Sequence, residues 1–433
     1  MLSRPGRIFM PTTAAEPEAA KLQPIKPEPV KAEIWRTPAV IVLCGCLIAL
    51  LSFGPRSAAG QFLTPLSFAN SWGRDVFSMA FAIQNLLWGI GQPFAGAVAD
   101  RFGTVRVLCT GAIMYGLGLA IMAYATNPLA LDFSAGVLIG FGLAGCSFNL
   151  VLSAFGKLVP EGWRSLSLGA GTAAGSFGQF LFSPLARVLI DSFGWQLALL
   201  IFAAGMLLVL PLSLALATPR SMPGTGKAAP QSLKQALAEA FGHRSYVLLV
   251  LGFFTCGFQL AFITVHLPAY LVDRGLSAEV GGWTIGVIGL FNIAGSLSAG
   301  WLSTRMPKRY LLSGIYFARA AAVLAFIVFP ASAASSIIFG AVMGLLWLST
   351  VPPTASLVAV MFGNRWGGML YGFAFFSHQV GGFLGVLLGG LAFERTGSYD
   401  AIWWLSILFG VLSGLINLPI VEKPVQRVAI VPA

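Results

Sequence analysis

Apolar stretches of about twenty residues or more recur along the whole chain, separated by short polar breaks. A helix of about twenty apolar residues covers the roughly 30 Å of a bilayer's hydrocarbon core. Windows of that length predict spans at 38–63, 76–99, 105–125, 131–157, 166–190 and 195–217, and again at 246–271, 280–303, 310–330, 335–361, 367–393 and 400–421. The expected fold is an all-α membrane protein: twelve transmembrane helices in two six-helix halves, 37–217 and 246–421. Residues 218–245 between the halves include Pro219, Pro223, Gly224 and Pro230, which reads as a polar linker, with a short surface helix at 232–241. Residues 1–36 are rich in Pro, Lys and Glu and are expected to be a disordered tail, without the apolar core of a signal peptide; residues 422–433 form a second tail.

Composition agrees. Hydrophobic residues make up 57% of the chain and charged residues 9%, where a soluble domain carries about 25% charged. The net charge of +11 could suggest a nucleic-acid partner, so its placement matters. The first tail and every second loop hold the Lys and Arg: Arg101 and Arg106, Lys157 and Arg164, the linker, Arg305 to Arg309, Arg365, then Lys423 and Arg427. The alternate loops hold only Arg74, Arg274 and Arg395. Such a bias places both termini and the linker in the cytoplasm. The basicity reports topology, and no nucleic acid is expected. Cys44, Cys46, Cys109, Cys146 and Cys256 all fall in predicted spans, where a free thiol behaves as a small hydrophobe. No metal site, cofactor or nucleophile–base pair suggests an enzyme. The short loops suit a monomer in a bacterial inner membrane.

The halves repeat each other at an offset of about 203 residues. Pro65 falls on Pro268, Trp163 on Trp366, Gly178 on Gly381, Asp191 on Glu394 and Gly194 on Gly397. Two copies of a six-helix unit suggest a transporter that rocks one half against the other around a midplane site.

Between the second and third spans the chain reads Gly96-Ala-Val-Ala-Asp100-Arg101-Phe-Gly103-Thr-Val-Arg106. This resembles the signature loop of the major facilitator superfamily, G-x-x-x-D-R-x-G followed by basic residues. Gly96 should allow close helix approach, and Gly103 a tight turn. The resemblance implies that the loop latches the cytoplasmic side in the outward-open state. The second copy, Gly300 to Arg309, includes Arg305 but has Thr304 where Asp would stand, which implies a weaker latch. Further segments, Phe53-Gly-Pro55-Arg56, Trp347 to Thr354 and Phe376-Ser377-His378-Gln379, look like the bacterial monocarboxylate-porter branch that includes oxalate/formate exchangers. Members of that branch place a cationic residue in the eighth or eleventh span; here the eighth offers Asn292 and the eleventh His378.

A charge inside the bilayer costs at least about 2.5–3.5 kcal/mol and so needs a purpose. The span interiors hold Arg56, Arg187 and Arg319 and no Asp or Glu. Arginine grips a carboxylate through two parallel hydrogen bonds. The expected substrate is therefore a small organic anion, carried with a proton or against a second anion. Arg56 is the leading contact, with Arg319 second; Arg187 lies four residues before Asp191 and is expected to pair with it. Gln84, Trp88 and Gln92 share a face of the second span at i, i+4, i+8, and Gln259 matches Arg56 at the repeat offset. Gln179, Asn292 and Trp347 lie near mid-depth. His378 is placed to carry a proton or donate to the anion, whereas His266, further out on the seventh span, is expected to be structural or at the rim. The many aromatics, 34 Phe and 11 Trp, keep a second reading open, an exporter of apolar or amphipathic compounds.

Overall fold

A computed structural model describes residues 35–218 and 233–425. Most of each predicted tail and of the linker lies outside the described residues; of their basic positions, Arg36, Lys234, Arg244 and Lys423 lie within them.

Helix α1 is Pro38–Ser57, continued after a break as Gly60–Asn70; α2 is Arg74–Phe102 and α3 Thr104–Ala123. Helix α4 runs Pro128–Leu131, through a π-helical stretch Asp132–Leu138, to Ile139–Gly145 and then Phe148–Leu158. Helix α5 is Glu161–Phe193, and α6 is Trp195–Leu207 with Val209–Ser213. A short linker helix, Leu233–Gly242, precedes α7, Arg244–Asp273. Then follow α8 (Ala278–Leu302), α9 (Lys308–Val328), α10 (Ala333–Leu346 and Val351–Phe362), α11 (Asn364–Thr396) and α12 (Asp400–Asn417).

Among the described residues, eleven helical units are both long and apolar enough to cross a bilayer. The twelfth, α2, has 29 residues, about 43 Å at 1.5 Å each, and is long enough. Its Gln84, Asn85 and Gln92 make it less apolar than the rest. Local signals fix the ends. Thr37 Oγ accepts the Val40 amide with Pro38 at the first helical position. Gly103 turns α2 into α3 at φ +93°, a conformation few other residues adopt.

The repeat is visible in the packing. In the first half α1 lies on α5, α2 on α4 and α3 on α6; in the second, α7 lies on α11, α8 on α10 and α9 on α12. Across the halves α2 packs on α11, and α8 on α5, the same pairing twice. Backbones touch where glycine allows: a Cβ on Gly257 would sit 1.6 Å from the His378 carbonyl oxygen.

The two ends of the bundle differ. At the end carrying Arg74, a Cβ on Gly390 of α11 would collide with Ser78 Oγ of α2 at 2.3 Å. At the end carrying Asp100, a crevice of about 340 Å³ opens between Leu168, Gly169 and Thr172 of α5 and Ile293, Leu297 and Gly300 of α8. A Cβ on Gly96, Gly169, Gly300 or Gly372 would meet no protein atom within 4 Å. The close approach expected at Gly96 is therefore not made. The halves meet at the Arg74 end and part at the Asp100 end.

Candidate functional site

A cavity of about 80 Å³ lies between the halves, where α4 and α10 are broken. Arg56 reaches it from the last turn of the first α1 segment. Pro55, just before it, cannot donate to the turn behind, and the helix breaks at Ala58. Arg56 is 7% exposed, and its Nη2 donates to Asn85 Oδ1 at 2.9 Å. Asn85 is itself held by donation from Nδ2 to the Phe81 carbonyl oxygen at 2.8 Å. Arg56 Nε and Nη1 are buried without a partner. Among the described residues, no ion pair joins Arg56 to a carboxylate. A buried guanidinium with two free donors is a costly arrangement unless an acceptor arrives to fill it.

Around this cation the wall is mostly aromatic. Phe53, Trp88, Phe148, Phe253, Trp347, Tyr371 and Phe375 line it. Trp88 meets Phe375 edge to face at 5.6 Å. His378, also in the wall, stacks on Phe375 at 5.7 Å, and its Nδ1 lies 3.2 Å from Gln379 Oε1. Ser57, Asn85, Asn149, Gln179, Thr264 and Gln379 supply neutral polar atoms.

Of the residues expected at the site, Arg56, Trp88, Trp347 and His378 line one cavity, joined by Gln179. Four others are placed elsewhere. Gln84 is buried against α4 and donates to the Ala135 carbonyl oxygen at 2.8 Å, in the π-helical stretch. Gln259 turns to α12 and donates to the Ser406 carbonyl oxygen at 2.9 Å. Asn292 donates to Ser176 Oγ at 2.9 Å and accepts the Leu348 amide at 3.0 Å, bracing the break in α10. Arg319 is fully buried and donates to the Leu346 carbonyl oxygen from Nε at 3.1 Å and from Nη2 at 2.5 Å, and to the Trp347 carbonyl oxygen. Its charge caps the end of a helix, where carbonyls point outward and a cation is favoured. These side chains shape the site's walls rather than line it.

Asn85 was missed because of helical geometry. Steps of four residues drift about 40° around a helix with 3.6 residues per turn. Gln84, Trp88 and Gln92 therefore do not share one narrow face: Trp88 faces the cavity with Asn85, while Gln92 donates to Ser147 Oγ at 2.9 Å in the break of α4.

The two ends carry different charge clusters. Asp100 accepts Lys157 Nζ from α4, a contact inside the first half. Arg101 lies over the ring of Phe102, Arg305 over Trp301, and Arg106 is exposed. Thr304 Oγ, in the turn after α8, donates to the Trp301 carbonyl oxygen. Arg187 pairs with Asp191 as its spacing predicts. At the opposite end Arg74 crosses between halves. Its Nη1 and Nη2 donate to Asp273 at 2.6 and 2.8 Å, its Nη1 also to Tyr399 Oη at 2.9 Å, and its amide to Glu394 Oε1 at 2.7 Å. The ring of Phe393 lies 3.8 Å from the guanidinium. Arg74 was visible in the sequence only as a stray charge in a loop otherwise poor in cations.

Comparison with known proteins places this architecture. The family model of the Major Facilitator Superfamily matches residues 45–386. The chain is 29% identical over 384 residues to an uncharacterized MFS-type transporter, YcxA of Bacillus subtilis, covering 85% of this chain and 91% of that protein. It is 26% identical over 356 residues to human monocarboxylate transporter 11, covering 76% and 71%. A bacterial homolog of the lysosomal transporter Spinster, solved in an inward-facing and unoccupied conformation, superposes with a TM-score of 0.68 at 15% identity, over 88% of this chain and 96% of that one. The D-xylose–proton symporter gives 0.66 at 16% identity, over 90% and 100%. With twelve helices in two equivalent halves around one central cavity, the chain belongs to the Major Facilitator Superfamily and resembles its monocarboxylate-transporter branch.

Proposed function

We propose that this transporter moves a small organic anion, a carboxylate, by alternating access, with a proton or in exchange for a second anion. The observation that carries this reading is Arg56: a buried cation with two free donors, facing a cavity that brings it no carboxylate. A carboxylate could take both donors in the bidentate geometry that arginine favours. The aromatic wall would then cover the rest of the molecule. A single cation in the cavity suits one negative charge, so a monocarboxylate fits better than a dicarboxylate. The names of the monocarboxylate relatives point the same way. His378 is the histidine of the wall and is assigned the coupled proton or a hydrogen bond to the anion.

The bias of the loop charges supports an orientation with the Asp100 end and both termini in the cytoplasm of a bacterial cell. On that orientation the structure is open inward. The alternative substrate, an apolar or amphipathic compound for export, is favoured by the seven aromatic side chains of the wall. Uptake of labelled mono- and dicarboxylates and their neutral amides into proteoliposomes, with and without a pH gradient, separates the two. Saturable uptake confined to carboxylates is expected. Equal uptake of the amides would favour the exporter.

A further inference from the structure

The Arg74 end holds a buried titratable side chain that the transport reading leaves without a task. His266 of α7 is fully enclosed. Its Nε2 lies 2.9 Å from the Val386 carbonyl oxygen of α11, and its Nδ1 3.2 Å from the Tyr399 hydroxyl before α12. A carbonyl only accepts, so Nε2 carries the ring proton. Tyr399 Oη already receives Arg74 Nη1 at 2.9 Å, so the tyrosine's own proton goes to His266 Nδ1. One arrangement therefore satisfies every group: Arg74 donates to Tyr399, Tyr399 to His266, and His266 to Val386. Arg74 is also the residue that joins α2 to Asp273 and Glu394 across the halves.

A proton on Nδ1 is incompatible with this chain. The new N–H would have to share with Arg74 the acceptor side of one phenolic oxygen. The tyrosine proton would lose its acceptor at a site where Tyr399 is 2% exposed. A second cation would also stand one oxygen away from the guanidinium. The charged groups nearby do not relieve this. Asp273 of α7 and Glu394 of α11 are both engaged by Arg74. Tyr270 of α7 and Arg274 just after it face each other, and the remaining charges of this end among the described residues are Asp75 of α2, Asp132 of α4, the Arg187–Asp191 pair of α5, Glu279 of α8, Arg395 of α11 and Asp400 of α12. The segment Gly60–Asn70 packed on α7 brings no titratable residue. The polar partners of the ring itself are Val386 and Tyr399.

We propose that His266 is a proton-binding site that controls the closure of the Arg74 end. Neutral, it lets Tyr399 brace Arg74 and holds the halves together. Protonated, it withdraws the brace and releases them. The open state then binds the proton better than the closed one, so falling pH favours opening. This inference does not depend on the identity of the substrate.

The test measures the distance between the halves at that end, without substrate. Spin labels are introduced as noncanonical residues at Leu129 and Phe329, both exposed at the Arg74 end of α4 and α9, so the native cysteines remain. In lipid nanodiscs between pH 8 and 5.5, the open-to-closed ratio of the parent protein should rise at least about tenfold; one differentially bound proton allows about tenfold per pH unit. His266→Gln can donate and accept but cannot take a proton, and should change less than about twofold. Tyr399→Phe removes the bridge and should lose the response independently, which covers a failure of the first variant to fold. A pH response that survives both His266→Gln and Tyr399→Phe would assign the switch to Asp273 or Glu394 and overturn the proposal, as would a parent protein that shows no response.

Discussion

Arg56, Arg319 and Arg187 meet the cost of a charge at membrane depth in three ways. Arg187 has a carboxylate one turn away, and that pairing was legible from spacing alone. Arg319 has the exposed carbonyls of a broken helix, which no sequence pattern announces because the acceptors are backbone atoms 27 and 28 residues away. Arg56 has Asn85 and two free donors. Arg319 is therefore a packing group, and its removal should act on stability. Each carbonyl left unpaired costs about 1–3 kcal/mol, so Arg319→Ala should lower the melting temperature in micelles clearly, with the ranking of transported anions unchanged. A changed ranking at native stability would restore Arg319 to substrate contact. His378 shares the cavity with Arg56, so His378→Gln should leave anion exchange but flatten the pH profile of net uptake. An unchanged profile would make it a wall residue only.

At the scale of elements, the twelve spans were legible because apolar length is read directly from the chain, and even the more polar α2 carried enough apolar residues to be placed. The breaks were harder to read. In α4 the helix stops at Cys146 and restarts at Phe148 with Ser147 as cap; in α10 it stops at Leu346 and restarts at Val351 before Pro352 and Pro353. A side chain of the second helix in each half braces the break: Gln92 on Ser147, Asn292 on Leu348. Both were read as substrate candidates or partners of them, since a buried amide in an apolar span looks alike in either role until its partner is known. The Asp100 loop was legible as a motif, but its partner Lys157 was not, being a long-range contact. Exposed ion pairs contribute about 0–1 kcal/mol, so this one should tune conformational exchange rather than hold the fold. Asp100→Asn and Lys157→Gln should each slow turnover more than they weaken apparent affinity, and the double variant should be no slower than either. Additive effects would show that the two residues act separately.

At the scale of the whole molecule, the pairing of α2 with α11 and of α5 with α8 gives each half the same surface to rock on. The Arg74 cluster holds one end, and the crevice between α5 and α8 opens the other. The repeat was legible from landmark residues, whereas the conformational state was not: both states use one sequence, and only the relation between the halves distinguishes them. On the proposed orientation, an epitope tag at the C-terminus should be labelled only after permeabilisation of cells. Labelling in intact cells would reverse the assignment of the two ends.

Anion binding at Arg56 is the claim on which the transport reading stands. Breaking a buried charge pair by removing one partner costs about 3–5 kcal/mol, which is more than about a hundredfold in affinity. The direct measurement is the dissociation constant of a transported carboxylate for nanodisc-embedded protein by calorimetry, comparing the parent with Arg56→Lys and Arg56→Gln. Weak binding by Arg56→Lys, which keeps the charge without the planar fork, and a loss of a hundredfold or more in a folded Arg56→Gln are predicted. Binding by Arg56→Gln within about threefold of the parent, where 1.4 kcal/mol is tenfold, would contradict the account.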